Sequence, residues 1–132
     1  MSYLLDTHTF LWVALAPSEL SRRARAVIED SNNRIEISAV TLWEISLKHA
    51  LGKLELTGVV PEDLPAVAAQ MRMPVQPLIG EDAATYHRLP RTTHKDPFDR
   101  MIVWQCLRRR WTLISADGEL EQYRNFGLEL LW

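Results

Sequence analysis

Four short apolar segments, each set apart from the next by helical periodicity, constrain this chain more than any other feature. Ser2–Leu5, Arg34–Ser38, Thr112–Ser115 and Leu128–Leu131 read as strands. Strands that alternate with helices predict an α/β fold, a central and mainly parallel sheet with helical layers on both faces. In such sheets the ligand crevice lies beyond the carboxyl ends of the strands. Acids stand at that rim: Asp6 and Asp117 follow strand ends, while Glu44 and Asp99 occupy the opening turns of helices that start from it.

The intervening segments follow ordinary helix signals. Thr7 to Ala16 is expected to be helical until Pro17 stops it. Ser18 is expected to cap an amphipathic helix with Leu20, Ala24, Val27 and Ile28 turned inward. Val40 to Leu51 is helical and Gly52 ends it. Lys53 to Val60 reads as a short extended excursion, Pro61 to about Met73 as a helix, and Val75–Leu78 as a short edge strand. Gly80 to Leu89 and Asp117 to Asn125 complete the helical set, together with the most apolar stretch, Met101–Leu107.

That last helix opens on His94-Lys95-Asp96-Pro97-Phe98-Asp99-Arg100. Capping explains much of it: Asp96 suits the N-cap, Pro97 the first helical position, and Asp99 the first turn. Arg108-Arg109-Arg110 at the far end complements the helix macrodipole as a solvated cap. Asp6 and Glu44 also have plain readings, as a cap and as a solvated glutamate. Four such acids sharing one rim are harder to dismiss.

With 132 residues, 47% hydrophobic and 24% charged, the chain has the make-up of one soluble domain with a full core. Its apolar runs are too short to span a bilayer, and Met1–Asp6 lacks the basic region of a signal peptide. Cys106 is the only cysteine, which excludes an internal disulfide and fits the reducing cytoplasm. Four scattered histidines give no zinc spacing. The net charge of −2 neither announces nor excludes a nucleic-acid partner.

Converging carboxylates repel and raise one another's pKa unless a cation joins them. An all-oxygen cluster selects a hard ion, Mg²⁺ or Mn²⁺. Such ions suit phosphate chemistry, because they neutralise phosphoryl oxygens, activate water and stabilise a leaving oxygen.

Tyr3-Leu4-Leu5-Asp6-Thr7, Trp43-Glu44-Ile45, the His94–Arg100 stretch and Leu113-Ile114-Ser115-Ala116-Asp117 occur in this order. Together they resemble the PIN-domain ribonucleases, in particular the VapC-type toxins of type II toxin–antitoxin modules. The resemblance covers essentially the whole chain, residues 1–132, and is most specific at the paired aspartates around Pro97. It implies a PIN-like fold and an Mg²⁺- or Mn²⁺-dependent endoribonuclease that leaves 5′-phosphate and 3′-hydroxyl ends. It also implies a metal-holding quartet of Asp6, Glu44, Asp99 and Asp117, with Asp96 as an accessory acid or cap. Two positions depart from the family pattern: His8 stands where Asn is common, and Ser115 where Thr is frequent.

The family is often homodimeric and is held inactive by a cognate antitoxin. The Asp-Pro-Phe-Asp-Arg sequence resembles toxins paired with Phd/YefM-like antitoxins. Trp12 and Trp43, on helices near the rim, are candidates for an apolar groove that receives an antitoxin segment. Thr7, Arg100 and Arg108–Arg110 are candidates for phosphate contacts. Two alternatives stay open at this level. A phosphoaspartyl phosphatase also begins with a strand ending in Asp, although His8 occupies the place of its second acid. A non-catalytic α/β binding module would use the same acids only as caps.

Overall fold

The computed structural model describes residues 1–132. Five strands, β1 (Ser2–Leu5), β2 (Arg34–Ser38), β3 (Val75–Gln76), β4 (Thr112–Ile114) and β5 (Glu129–Leu131), form one sheet. Their order is β3-β2-β1-β4-β5 and every pairing is parallel. The register sets Leu5 opposite Ile37 on one side and Ile114 on the other, so three strands end level. The chain winds outward from β1 to β3, then crosses back to β4. The rim between β1 and β4 is therefore the topological switch point.

Alternation along the strands sends side chains into two cores. Tyr3, Leu5, Ile35, Ile37 and Ile114 face α1 (Thr7–Leu15), α2 (Arg22–Glu29) and α4 (Leu64–Gln70) through Phe10, Val13, Ala24, Leu64 and Ala68. Leu4 and Leu113 face the opposite layer, where α6 (Pro97–Arg109) contributes Ile102, Val103 and Cys106. The helix α3 (Ala39–Ala50) serves both, with Val40 in one core and Ile45 in the other. The expected three-layer α/β/α arrangement is thus present. No helix is long and apolar enough to cross a membrane.

Several local expectations are corrected. Ser18 lies inside a 3₁₀ turn, Pro17–Glu19, and the cap of α2 is Ser21, whose Oγ accepts from the Ala24 N–H at 3.0 Å. Both serines satisfy the pattern, but Pro17 starts a separate turn first. Lys53–Val60 forms no strand; Leu54, Leu56 and Val59 pack irregularly against the first core. The Pro61 segment begins as a 3₁₀ turn and its helix ends at Gln70. The helix α5 (Gly80–Thr85) gives way to a 3₁₀ turn over Tyr86–Arg88. The segment after Asp117 is a 3₁₀ helix, Gly118–Phe126. Its three-residue period stacks Leu120 over Tyr123, and both are buried.

The arginine run is no solvated cap either. Arg109 donates to Asp82 Oδ2 at 2.6 Å and Arg108 to Glu81 Oε1 at 2.7 Å, fastening α6 to α5. Arg110 ends α6 in the left-handed region, with φ 57°.

Candidate metal centre

Each acid reaches the rim by the mechanism that shapes its element. Asp6 follows β1 and caps α1, accepting from the Thr9 N–H at 2.8 Å through Oδ1. Its Oδ2 accepts from Ser115 Oγ, on the segment leaving β4. Asp6 is buried, and burial raises its carboxyl pKa against the lowering influence of these bonds.

Glu44 lies on the inner face of α3, buried rather than solvated. Thr7 Oγ1 donates to its Oε1 at 2.6 Å, and Lys48, one turn on, pairs with Oε2. Thr7 is thereby an orienting group for Glu44 and no free phosphate contact. Burial opposes the charge on Lys48, but its bond to Glu44 and the charges of Glu44, Asp96 and Asp99 raise its pKa overall.

Asp96 caps α6 as expected, its Oδ1 accepting from the Asp99 N–H at 3.0 Å. Asp99 is the centre of the cluster. Its carboxylate lies within 4.8 Å of Glu44 and Asp96 in one group, and of His94 and Asp117 in another. Burial, then the charges of Asp96, Glu44, Asp6 and Asp117, push its pKa up to about 7. Of the five acids singled out from sequence, four therefore act on the carboxylate of the fifth. Asp6 stands outside both close groups, its oxygens accepting from the Thr9 N–H and Ser115 Oγ, but its charge still acts on Asp99.

His94 carries no ligand signal in the sequence, yet its Nε2 stands 3.5 Å from Asp99 Oδ2. Its Nδ1 is 2.8 Å from the Tyr123 hydroxyl. Arg100 turns inward instead of toward solvent. Its guanidinium donates to the hydroxyls of Tyr86 and Tyr123, each at 3.0 Å, and to the carbonyls of Leu89 and Pro90. All its donors meet neutral oxygens, so Arg100 braces the rim while its charge stays uncompensated. Trp12 is half-buried against Trp132, whereas Trp43 is 61% exposed.

A family model described as PIN domain matches residues 3–125. The chain belongs to the PIN-domain family. Over 130 residues this PIN domain is 28% identical to Ribonuclease VapC22 of Mycobacterium tuberculosis, covering 98% of this chain and 97% of that protein. The fold resembles VapBC2 from Rickettsia felis, solved bound to a DNA fragment from its promoter. That likeness has a TM-score of 0.67 at 17% identity and covers 99% of this chain and 98% of that one. DNA-bound VapBC from Salmonella typhimurium gives a TM-score of 0.66 at 18% identity, covering 99% and 97%.

The donor set suits the ion expected of a PIN domain. Oxygen ligands dominate, and a single imidazole at the edge is compatible with Mg²⁺ or Mn²⁺ rather than with a thiolate-seeking metal. A carboxyl whose pKa is raised by burial and by its neighbours' charges is what a cation site looks like before the cation joins it.

Proposed function

We propose that this PIN domain is a metal-dependent endoribonuclease, the toxin of a type II toxin–antitoxin module. The observation that carries the reading is Asp99, whose pKa is pushed up to about 7 inside a ring of four other acids at the switch point of the sheet. Kinship with Ribonuclease VapC22 supports RNA as the substrate. The quartet of the sequence resemblance, Asp6, Glu44, Asp99 and Asp117, would hold Mg²⁺ or Mn²⁺ around the central Asp99, with Asp96 as accessory acid. When bound, the ion polarises a phosphoryl oxygen, lowers the pKa of water and stabilises the leaving oxygen.

The chain's own groups prepare that site. Thr7 fixes the direction of Glu44, and Lys48 neutralises it until a stronger cation arrives. Asp99 would hold the ion as a carboxylate, without the proton that burial and the neighbouring acids favour on it. His94, tied to Tyr123 through Nδ1, keeps Nε2 at the edge of the cluster, where a proton can be held beside Asp99. The products would be 5′-phosphate and 3′-hydroxyl ends.

A cognate antitoxin, Phd/YefM-like by the sequence resemblance, would inhibit the enzyme in the cytoplasm. The VapBC complexes among its structural neighbours support an antitoxin partner. Leu47 on α3 and Leu51 at its C-cap are exposed apolar residues four positions apart, suited to such a partner or to a homodimer.

The test is cleavage of total RNA with Mn²⁺, Mg²⁺ or chelator, with product ends mapped. Cleavage that needs the metal and is lost in Asp99→Asn and Glu44→Gln supports the reading. Metal-independent cleavage, or full activity in both variants, overturns it.

A further inference from the structure

Two cavities share a single wall residue, Tyr86, and one of them reaches His94, whose Nε2 stands 3.5 Å from Asp99 Oδ2. The first, about 170 Å³, is almost wholly apolar and is bounded by Trp43, Phe98, Met101 and Leu78. Trp43 and Phe98 immediately precede Glu44 and Asp99, so the helices that aim the acids into the rim also place two aromatic rings beside it. The rings meet edge to face at 5.0 Å and 73°, and Trp43 is still 61% exposed. A buried core would hide that surface.

The second cavity is a groove of about 570 Å³ that runs past His94 and is lined by Arg91, Lys95 and the Arg100 guanidinium. Arg91 and Lys95 are exposed and, like most of the chain's cations, belong to no ion pair; what distinguishes them is that they stand together on this groove. Arg100 adds a buried charge satisfied only by neutral oxygens. Unneutralised cations next to a cluster of five acids, in a chain of net charge −2, form a local anion path.

We propose that these cavities form one track for single-stranded RNA. One nucleobase stacks on Trp43 in the apolar pocket, and the adjoining phosphates lie along Arg91 and Lys95. The ribose-phosphate link between them passes Tyr86 and His94, whose Nε2 stands 3.5 Å from Asp99 Oδ2. The small cavity is below the roughly 300–1,000 Å³ of pockets for drug-sized ligands, and suits one flat ring system. Aromatic platforms beside cationic grooves bind single strands because every base has a stackable face. An apolar protein segment would fill the pocket but leave the cations without purpose. The assignment rests on the ribonuclease reading and names how its substrate is held.

The experiment measures the Kd of a fluorescent single-stranded oligoribonucleotide of mixed sequence, and of its duplex, by anisotropy in chelator. Melting curves confirm that each variant folds. Trp43→Leu should weaken single-strand binding about 5- to 150-fold, the range for loss of one stacked base, while Trp43→Phe stays close to wild type. Arg91→Glu with Lys95→Glu should lower the slope of log K against log salt by about 0.7 per lost phosphate contact.

Unchanged binding in Trp43→Leu overturns the base subsite, as does equal affinity for duplex and single strand. Loss of antitoxin binding in Trp43→Leu with RNA affinity intact assigns the pocket to protein and also overturns it. A wild type that binds RNA with these dependences but never cleaves it supports the track and rejects the ribonuclease reading.

Discussion

Asp99→Asn should make the metal-free protein more stable, and the gain should depend on pH. The folded state raises the Asp99 pKa from 3.8 to about 7. A raised carboxyl favours the folded state only while protonated. Its contribution is complete below 3.8, declines as pH rises, and is lost above about 7. A separation of about 3 units corresponds to roughly 4 kcal/mol of penalty once Asp99 is ionised. The Asp99 side chain is 23% exposed, so water screens part of this. About 2 kcal/mol is the working figure.

Asn cannot ionise, so it removes that penalty while keeping nearly the same shape. In chelator at about pH 8 the variant should melt roughly 6–8 °C above wild type. At about pH 4 the two should nearly coincide, because wild-type Asp99 is then protonated in the fold. Thermal denaturation followed by circular dichroism across this range reads the difference. A variant that is less stable at the higher pH would refute the reasoning, as would a gain independent of pH. Asp99 would then be an ordinary first-turn acid supporting α6.

Two further outcomes follow from named contacts. Lys48→Met strips Glu44 of its cation and should lower metal-free stability by about 1 kcal/mol, the scale of a partly exposed ion pair; Mn²⁺ should restore most of the loss in a melting assay. Asp82→Ala leaves Arg108 and Arg109 without their buried acceptor and should cost about 2–3 kcal/mol by urea denaturation. Its Mn²⁺ affinity should stay at the wild-type value, since the α5–α6 clasp lies away from the acids.

The sheet and its acids were legible because each depends on short-range pattern. Leu4 and Leu5 had to be buried on both faces of a parallel strand, and an acid at the end of such a strand has one rim to occupy. Asp96-Pro97 announced the start of α6 through capping chemistry that is local by nature. Side-chain direction was not legible. Arg100 sits one residue past Asp99 and looks equally available, yet Tyr86, Tyr123 and the Leu89–Pro90 carbonyls draw it inward. His94 reads as a loop residue until Tyr123, 29 positions later, fixes its ring against Asp99. The arginine run met Glu81 and Asp82 for the same reason, since partners supplied by tertiary packing leave no trace in local spacing. That Asp6 accepts from Ser115, a residue 109 positions away, was equally invisible in local spacing.

Whether Asp99 belongs to a cation site is read by calorimetric titration with Mn²⁺. In buffers of different ionisation enthalpy, below about pH 7, the wild type should bind Mn²⁺ and release a proton as the ion replaces the one on Asp99. Release should fade as the pH rises past that value, and Asp99→Asn should lose both the proton and most of the affinity. A wild type that binds no Mn²⁺, or binds it with no proton released at any pH, would show that Asp99 belongs to no such site.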